Sequence, residues 1–228
     1  MHLVLLIVVV LALVLGPGLL VNAVMARYRV PAERYAKTGG QLARELLDEL
    51  LLSEVATEVT RSGDHYDPIK KAVRLSESNF NGRSLTALTV AAHEVGHAIQ
   101  HADGFRPLLW RTRLVNWVSP IERAGAALLM LAPFMAALTR APAVGLFTLL
   151  GGMLTLASGI VVHLLTLPTE FDASFGRALP LIELRRVLRP EDMPKARRLL
   201  TAAALTYVSG ALQSLINIAR WWAILRRG

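Results

Sequence analysis

Apolar runs alternate with polar stretches along the chain. Leu3 to Met25 carries no charge over 23 residues, about 34 Å as a helix against a hydrocarbon core of about 30 Å. Gly16-Pro17-Gly18 interrupts it, and within a membrane span such a triplet reads as a kink. Only His2 precedes this run, whereas Arg27, Arg29 and Arg34 follow it. A cleaved signal peptide wants its positive charge in front, so the pattern predicts a signal anchor with the following segment on the cytoplasmic side. Ile121–Leu138 and Val144–Leu167 are two further apolar runs, joined only by Thr139-Arg140-Ala141-Pro142. So short a link predicts an antiparallel membrane hairpin. Leu199 to Ile218 is a weaker run, with Thr201, Thr206, Tyr207, Ser209, Gln213 and Asn217, and Arg220-Trp221-Trp222 after it has the look of an interfacial anchor. If this run crosses, Arg226 and Arg227 fall on the outer side, against the charge rule.

Between the first and second runs lies a polar block, Pro31 to about Glu122. Leu42, Leu46 and Leu50, with Leu47 and Leu51 beside them, predict an amphipathic helix over 41–51. Val55, Thr57 and Val59 alternate with polar neighbours and predict a strand. Lys71–Ser76 predicts a second, so residues 54–77 read as a β-hairpin with a long, turn-rich loop at 63–68. Ser84 to Gln100 predicts another helix, with Ser84 as its N-cap and Gly104 soon after its end. The expected fold class is a mainly α membrane protein of three to four transmembrane helices, with an α+β block inserted after the first. Its expected divisions are an anchor at 1–26, a polar block at 27–122 containing a helix at 84–101, a transmembrane hairpin at 121–167, a cytoplasmic segment at 168–198, and a fourth membrane helix with its basic, Trp-bearing tail at 199–228.

Composition supports the membrane reading: of 228 residues, 54% are hydrophobic and 18% charged, with mean hydropathy +0.44, against about 25% charged in ordinary soluble domains. The net charge of +8 sits beside apolar runs, which points to membrane surfaces and away from nucleic acid. There is no Cys. Disulfides, thiolate metal sites and a cysteine nucleophile are thereby excluded, and any metal must be held by His and carboxylates.

The chemistry concentrates in Ala91-Ala92-His93-Glu94-Val95-Gly96-His97-Ala98-Ile99-Gln100. On a helix His93 and His97 stand one turn apart on one face, so both imidazoles can reach one cation, and Zn²⁺ suits such nitrogen donors. Glu94 is rotated roughly 100° from His93, unsuited to share the ion but able to reach a water beside it, where a general base belongs. Gly96 leaves room for close backbone packing on the neighbouring face. Two His and one carboxylate would leave a fourth position open for hydrolysis. His101 lies about 12 Å from His93 along a straight helix, too far to share its ion. Glu122 sits among Arg111, Arg113 and Arg123, while Glu170 and Asp172 follow the third apolar run. Residue chemistry alone leaves the third ligand open among the carboxylates. His65 or Tyr66 could donate to a developing oxyanion, or Asp64–Pro68 could be only a turn with local Asx bonds. Lys71–Ser76 could be an edge onto which an extended substrate adds as a strand. His163, inside the third run, reads as a hydrogen-bonding group within the helix bundle, not a ligand.

Asp64-His65-Tyr66-Asp67-Pro68, Arg74-Leu75-Ser76, Ala91 to Gln100, and Leu167-Pro168-Thr169-Glu170-Phe171-Asp172-Ala173-Ser174 occur in that order. Together they resemble the YugP-type neutral zinc metallopeptidases of bacterial membranes, over nearly the whole chain, and more distantly the membrane-bound gluzincins related to the CAAX-prenyl and HtpX-type proteases. The resemblance implies a zincin-like block and one zinc ion held by His93, His97 and Glu170, with Glu94 as general base and the active site on the cytoplasmic side of a multi-pass inner or plasma membrane protein. Those relatives often place an Asp four residues after the ligand Glu. Ser174 stands there in this chain, so a supporting carboxylate is expected elsewhere, with Asp172 the candidate. The implied function is a membrane-bound zinc endopeptidase acting on membrane-associated polypeptides. Two rivals are an intramembrane, site-2-like metalloprotease and a zinc-binding membrane scaffold without hydrolysis; an intact Glu94 argues against the scaffold.

Overall fold

The computed structural model describes residues 2–139 and 142–225. The chain is helical with one small sheet. After helix α1 (His2–Tyr28), Thr38 starts α2 (Gly39–Glu49) with reciprocal caps: the Gln41 N–H donates to Thr38 Oγ1 at 3.2 Å and the Thr38 N–H to Gln41 Oε1 at 2.9 Å. The helix buries Leu42, Ala43, Leu46 and Leu47, the stripe its spacing predicts.

The two expected strands form as β1 (Ala56–Thr60) and β3 (Ala72–Ser76), but not as a hairpin. A third strand, β2 (His65–Asp67), arises within the turn-rich link. The order is β1-β3-β2: β1 runs parallel to β3, from Ala56 opposite Ala72 to Thr60 opposite Ser76, and β2 runs antiparallel to β3, from His65 opposite Arg74 to Asp67 opposite Ala72. The tight reversal is made at Asp67, whose Oδ1 accepts the N–H groups of Ile69 and Lys70 at 3.0 Å each. Asp64 Oδ1 accepts from the Ser76 N–H at 2.6 Å, and Oδ2 from Asn79 Nδ2 at 2.7 Å, pinning the link to the end of β3. Arg74 ties the three strands through Glu58 at 2.9 Å and Asp67 at 2.8 Å.

A short helix α3 (Glu77–Phe80) leads into α4 (Leu85–Ala102), whose N-cap Ser84 accepts the Ala87 N–H at 3.2 Å. Gly104, at φ +65°, closes α4: its own N–H reaches the His101 carbonyl at 3.1 Å and the Phe105 N–H the Gln100 carbonyl at 2.8 Å. Nearly every residue of α4 is buried, because α2, the sheet and the C-terminal elements enclose it. Those elements are α5 (Arg106–Thr139), α6 (Pro142–Phe171), a π-helical segment at Asp172–Ala178, α7 (Leu179–Leu184) and α8 (Met193–Leu225). Helix α5 packs on α6, α6 on α8, and α8 on α1.

The multi-span membrane fold expected from the apolar runs is not what forms. Among the described residues, no helix is long and apolar enough to cross a membrane. The runs are interrupted by Gly16-Pro17-Gly18 in α1, by Gly151, His163 and Thr166 in α6, and by Thr201, Tyr207 and Gly210 in α8, while Arg111, Arg113 and Asn116 occupy the part of α5 before its run. Part of their apolar surface is also covered by neighbouring helices. Among the described residues no transmembrane anchor, hairpin or fourth membrane helix is found, and the intramembrane mode of proteolysis and the cytoplasmic side lose the spans from which they were argued. Arg140, Ala141, Arg226 and Arg227 lie outside the described residues, as do the side chains of Glu122, Arg123 and Arg220-Trp221-Trp222.

One polar contact fastens the N-terminal segment to the start of α8. Asp192, fully buried, accepts from Arg34 Nη2 at 2.8 Å, from Lys195 Nζ at 2.7 Å and from the Tyr35 hydroxyl. Burial alone would raise its carboxyl, but bonds from Arg34, Lys195 and Tyr35 hold it well below the usual carboxylate range. Asp192→Asn is expected to lower unfolding free energy by about 2 kcal/mol at pH 7, measured by chemical denaturation. The folded-state value is depressed, so the stabilisation is present above the unfolded value near 4 and is lost as pH falls. The gap between parent and variant should therefore narrow below about pH 4.

Candidate metal centre

Helix α4 brings His93 and His97 to one face, as their spacing predicts, with ring centroids 4.8 Å apart and planes at 78°. Glu170, in the last turn of α6, enters from across the core. Its Oε2 stands 3.2 Å from His93 Nε2 and 3.5 Å from His97 Nε2. One ligand atom from each of the three lies within 4.8 Å of the others, and all three residues are buried.

The outer ring nitrogens are occupied. His97 Nδ1–H donates to Gln100 Oε1 at 2.9 Å, which turns the lone pair of Nε2 toward Glu170. Gln100, with no exposure, is itself fixed by donating Nε2 to the Thr169 carbonyl and to Asp172 Oδ2, both at 2.8 Å. Ser174 Oγ lies 3.1 Å from His93 Nδ1. Arg177 then holds Asp172 at 2.7 Å and pairs with Asp103, so the orienting network reaches the surface. Two imidazoles and a carboxylate, held by further hydrogen bonds and without a thiolate, fit a zinc ion with a fourth position free.

These groups face a cavity of about 210 Å³. His65, Tyr66 and Ile69 line one side, Leu108, Arg111, Thr112, Val115 and Asn116 of α5 another, and Glu94, Glu170 and Tyr207 the inner wall. Burial drives the Glu94 carboxyl up to about 7, reinforced by the nearby Glu170 charge and opposed by His93. Burial also works to raise Glu170, but the hydrogen bonds to His93 and His97 hold it well below the ordinary range. Arg111 Nη1 is 3.6 Å from Glu170 Oε1. The Tyr207 phenol is pushed up by burial and by the adjoining Glu170 carboxylate.

The model of a family described as "Putative neutral zinc metallopeptidase" matches residues 3–226. The chain belongs to this family. A relative, "Putative membrane protease YugP" of Bacillus subtilis (strain 168), is 36% identical over 218 residues, covering 89% of this chain and 91% of that protein. No solved structure matches.

Within this zinc-metallopeptidase chain the structure brings His93, His97 and Glu170 together and sets Glu94 on the same cavity. Asp172 does not touch either imidazole; it acts on His97 only through Gln100. Ser174 meets His93 directly. His65 and Tyr66 both line the cavity, yet His65 Nδ1 donates to the Gly63 carbonyl at 2.8 Å and the Tyr66 hydroxyl bonds His101 Nδ1 at 2.8 Å. His101 is therefore half-buried behind Tyr66 and not a free surface group. His163 packs against Gly210, where an added Cβ would meet its ring at 2.6 Å. Sequence reasoning missed Gln100, Arg111 and Tyr207. Gln100 follows His97 by three, within reach on a helix, and was legible in principle; Arg111 and Tyr207 become neighbours only through the packing of α5 and α8.

Ser174→Ala is expected to weaken zinc affinity by about 10–100-fold, the range for losing a partner that orients a ligand, with the fold retained. Competition against a chromogenic chelator reads this directly.

Proposed function

We propose that the chain is a zinc-dependent endopeptidase in which His93, His97 and Glu170 hold the ion and Glu94 is the general base. The buried His93–His97–Glu170 cluster, open to a cavity that Glu94 also lines, carries this reading. A zinc ion held there supplies a Lewis acid that polarises a peptide carbonyl and acidifies a neighbouring water. Glu94, raised by burial to about 7, is poised to take a proton near neutral pH and return it. As the water oxygen bonds to the carbonyl carbon, Glu94 accepts the proton; as the C–N bond breaks, the proton passes to the leaving amine. His65, whose Nδ1 is anchored to the Gly63 carbonyl, and Tyr66 lie on the opposite wall, where either can contact the substrate. The free edge of β2 beside them offers backbone groups to an extended peptide.

Glu94→Gln should lower peptide hydrolysis by about 10²–10⁴-fold while retaining zinc, as judged by labelled-peptide cleavage and metal analysis of the same preparation. Joint loss of zinc and activity would make Glu94 a ligand, and full activity would remove it from the chemistry. Zinc retained without any hydrolysis in the parent would favour the scaffold.

Association with a lipid surface, as the name of the Bacillus subtilis relative suggests, is supported by exposed Trp110, Trp117, Leu131, Phe134 and Leu138 on α5 and Leu146, Leu150 and Leu164 on α6. Such contact favours membrane-associated polypeptide substrates and requires no helix to cross. The purified chain is expected to float with liposomes in a density gradient, and Trp117→Glu with Phe134→Glu should shift it to the soluble fraction.

A further inference from the structure

We infer that Arg111 is a specificity-determining residue that receives a carboxylate of the substrate close to the scissile bond, an inference that rests on the peptidase reading above. Among the described residues lining the cavity, Arg111 carries the one guanidinium or ammonium group. It belongs to the α5 face that also presents Leu108, Thr112 and Val115 to the cavity, which His65 and Ile69 line as well. Its contact with Glu170 is long: 3.6 Å, to Oε1, whereas the imidazoles face Oε2. That separation exceeds a hydrogen bond, so the planar fork of donors is not consumed by the pair.

The neighbouring carboxylates leave those donors without a short hydrogen bond, although Glu170 pairs with Arg111 at 3.6 Å and the Arg111 charge is felt at Glu94. Asp64 is committed to Ser76 and Asn79. Glu170, with a dication in the donor triangle, has its charge drawn to the ion. Arg111 adds a positive charge to the cavity in which a bound ion would place another. An anionic group is attracted there and an ammonium group repelled. A guanidinium recognises a carboxylate through two parallel N–H···O bonds, stronger and more directional than neutral contacts. That carboxylate belongs either to an Asp or Glu side chain or to the chain end of a peptide.

The test uses zinc-loaded Glu94→Gln protein, which binds without turnover, and fluorescein-labelled peptides of about ten residues read by anisotropy. Asp is walked through a neutral sequence one position at a time, with Asn controls, each with a free or an amidated C-terminus. Asp at one or two positions is expected to tighten binding by about tenfold over Asn. Arg111→Gln in the same background should remove that gain, and Arg111→Lys should keep part of it. A gain that follows the free C-terminus assigns the subsite to the chain end. Binding that is equal for all forms, or undetectable, overturns the inference, as does an Asp preference that survives Arg111→Gln. Zinc content is expected to be unchanged in Arg111→Gln; its loss together with the preference would reduce Arg111 to a residue that positions Glu170. Cleavage by the parent protein keeps the two readings apart. Hydrolysis without charge preference sinks the Arg111 role and leaves the peptidase, while charge-selective binding without hydrolysis of any peptide does the reverse.

Discussion

The site depends on how closely α4 lies against the π-helical segment. At Gly96 the two backbones are so near that a Cβ would meet the Ala173 carbonyl oxygen at 2.7 Å. Both sides of that contact are backbone, so no side chain can swing away to make room. This approach lets Ser174 reach His93 and lets Glu170, one turn earlier, reach both imidazoles. A π-helix is an infrequent and comparatively weak arrangement, found mostly in single turns at functional positions. Here it spans Asp172–Ala178, directly after the carboxylate that completes the cluster, and its turns carry Ser174 toward His93 and Asp172 toward Gln100.

Electrostatics explain why the arrangement is a unit. Two imidazoles and two carboxylates are buried within one small region, an expensive arrangement unless each polar atom has a partner. Gln100 and Ser174 occupy the outer ring nitrogens, and Glu170 faces both inner ones. Arg177 and Asp103 carry the compensation outward through Asp172. Glu94 is left with burial as its dominant influence, and its carboxyl rises while that of Glu170 falls. Two acids lining one cavity are thereby driven in opposite directions.

The parts of this structure legible in sequence are those set by local spacing. The apolar stripe of α2, the capped start of α4 and the paired imidazoles of His93 and His97 follow from residues within one or two turns, whereas the room Gly96 offers is filled by Ala173, which only tertiary packing brings near. Strand existence was readable from alternation, but pairing was not: a parallel β1–β3 pair and a hairpin show the same period of two, and only the Asp67 reversal and the Asp64 anchor decide between them. Asp172, expected as a supporting carboxylate, meets Gln100 behind His97, and the neighbour of His93 Nδ1 is the Ser174 hydroxyl. The membrane spans failed because a sum of apolar residues counts neither the polar interruptions nor the faces that α1, α5, α6 and α8 turn to one another. Arg111 and Tyr207 belong to the cavity only by virtue of tertiary packing.

The donor set is divided along the chain: His93 and His97 come before the α5–α6 pair, and Glu170 stands in its last turn, 77 residues beyond His93. During synthesis the two imidazoles leave the ribosome well ahead of the acid that completes them, and Ser174 follows later still. An unfinished or truncated chain thus holds an incomplete coordination triangle with unanchored rings. The cluster is complete only once the π-helical segment packs on α4 and brings Glu170 and Ser174 to the imidazoles.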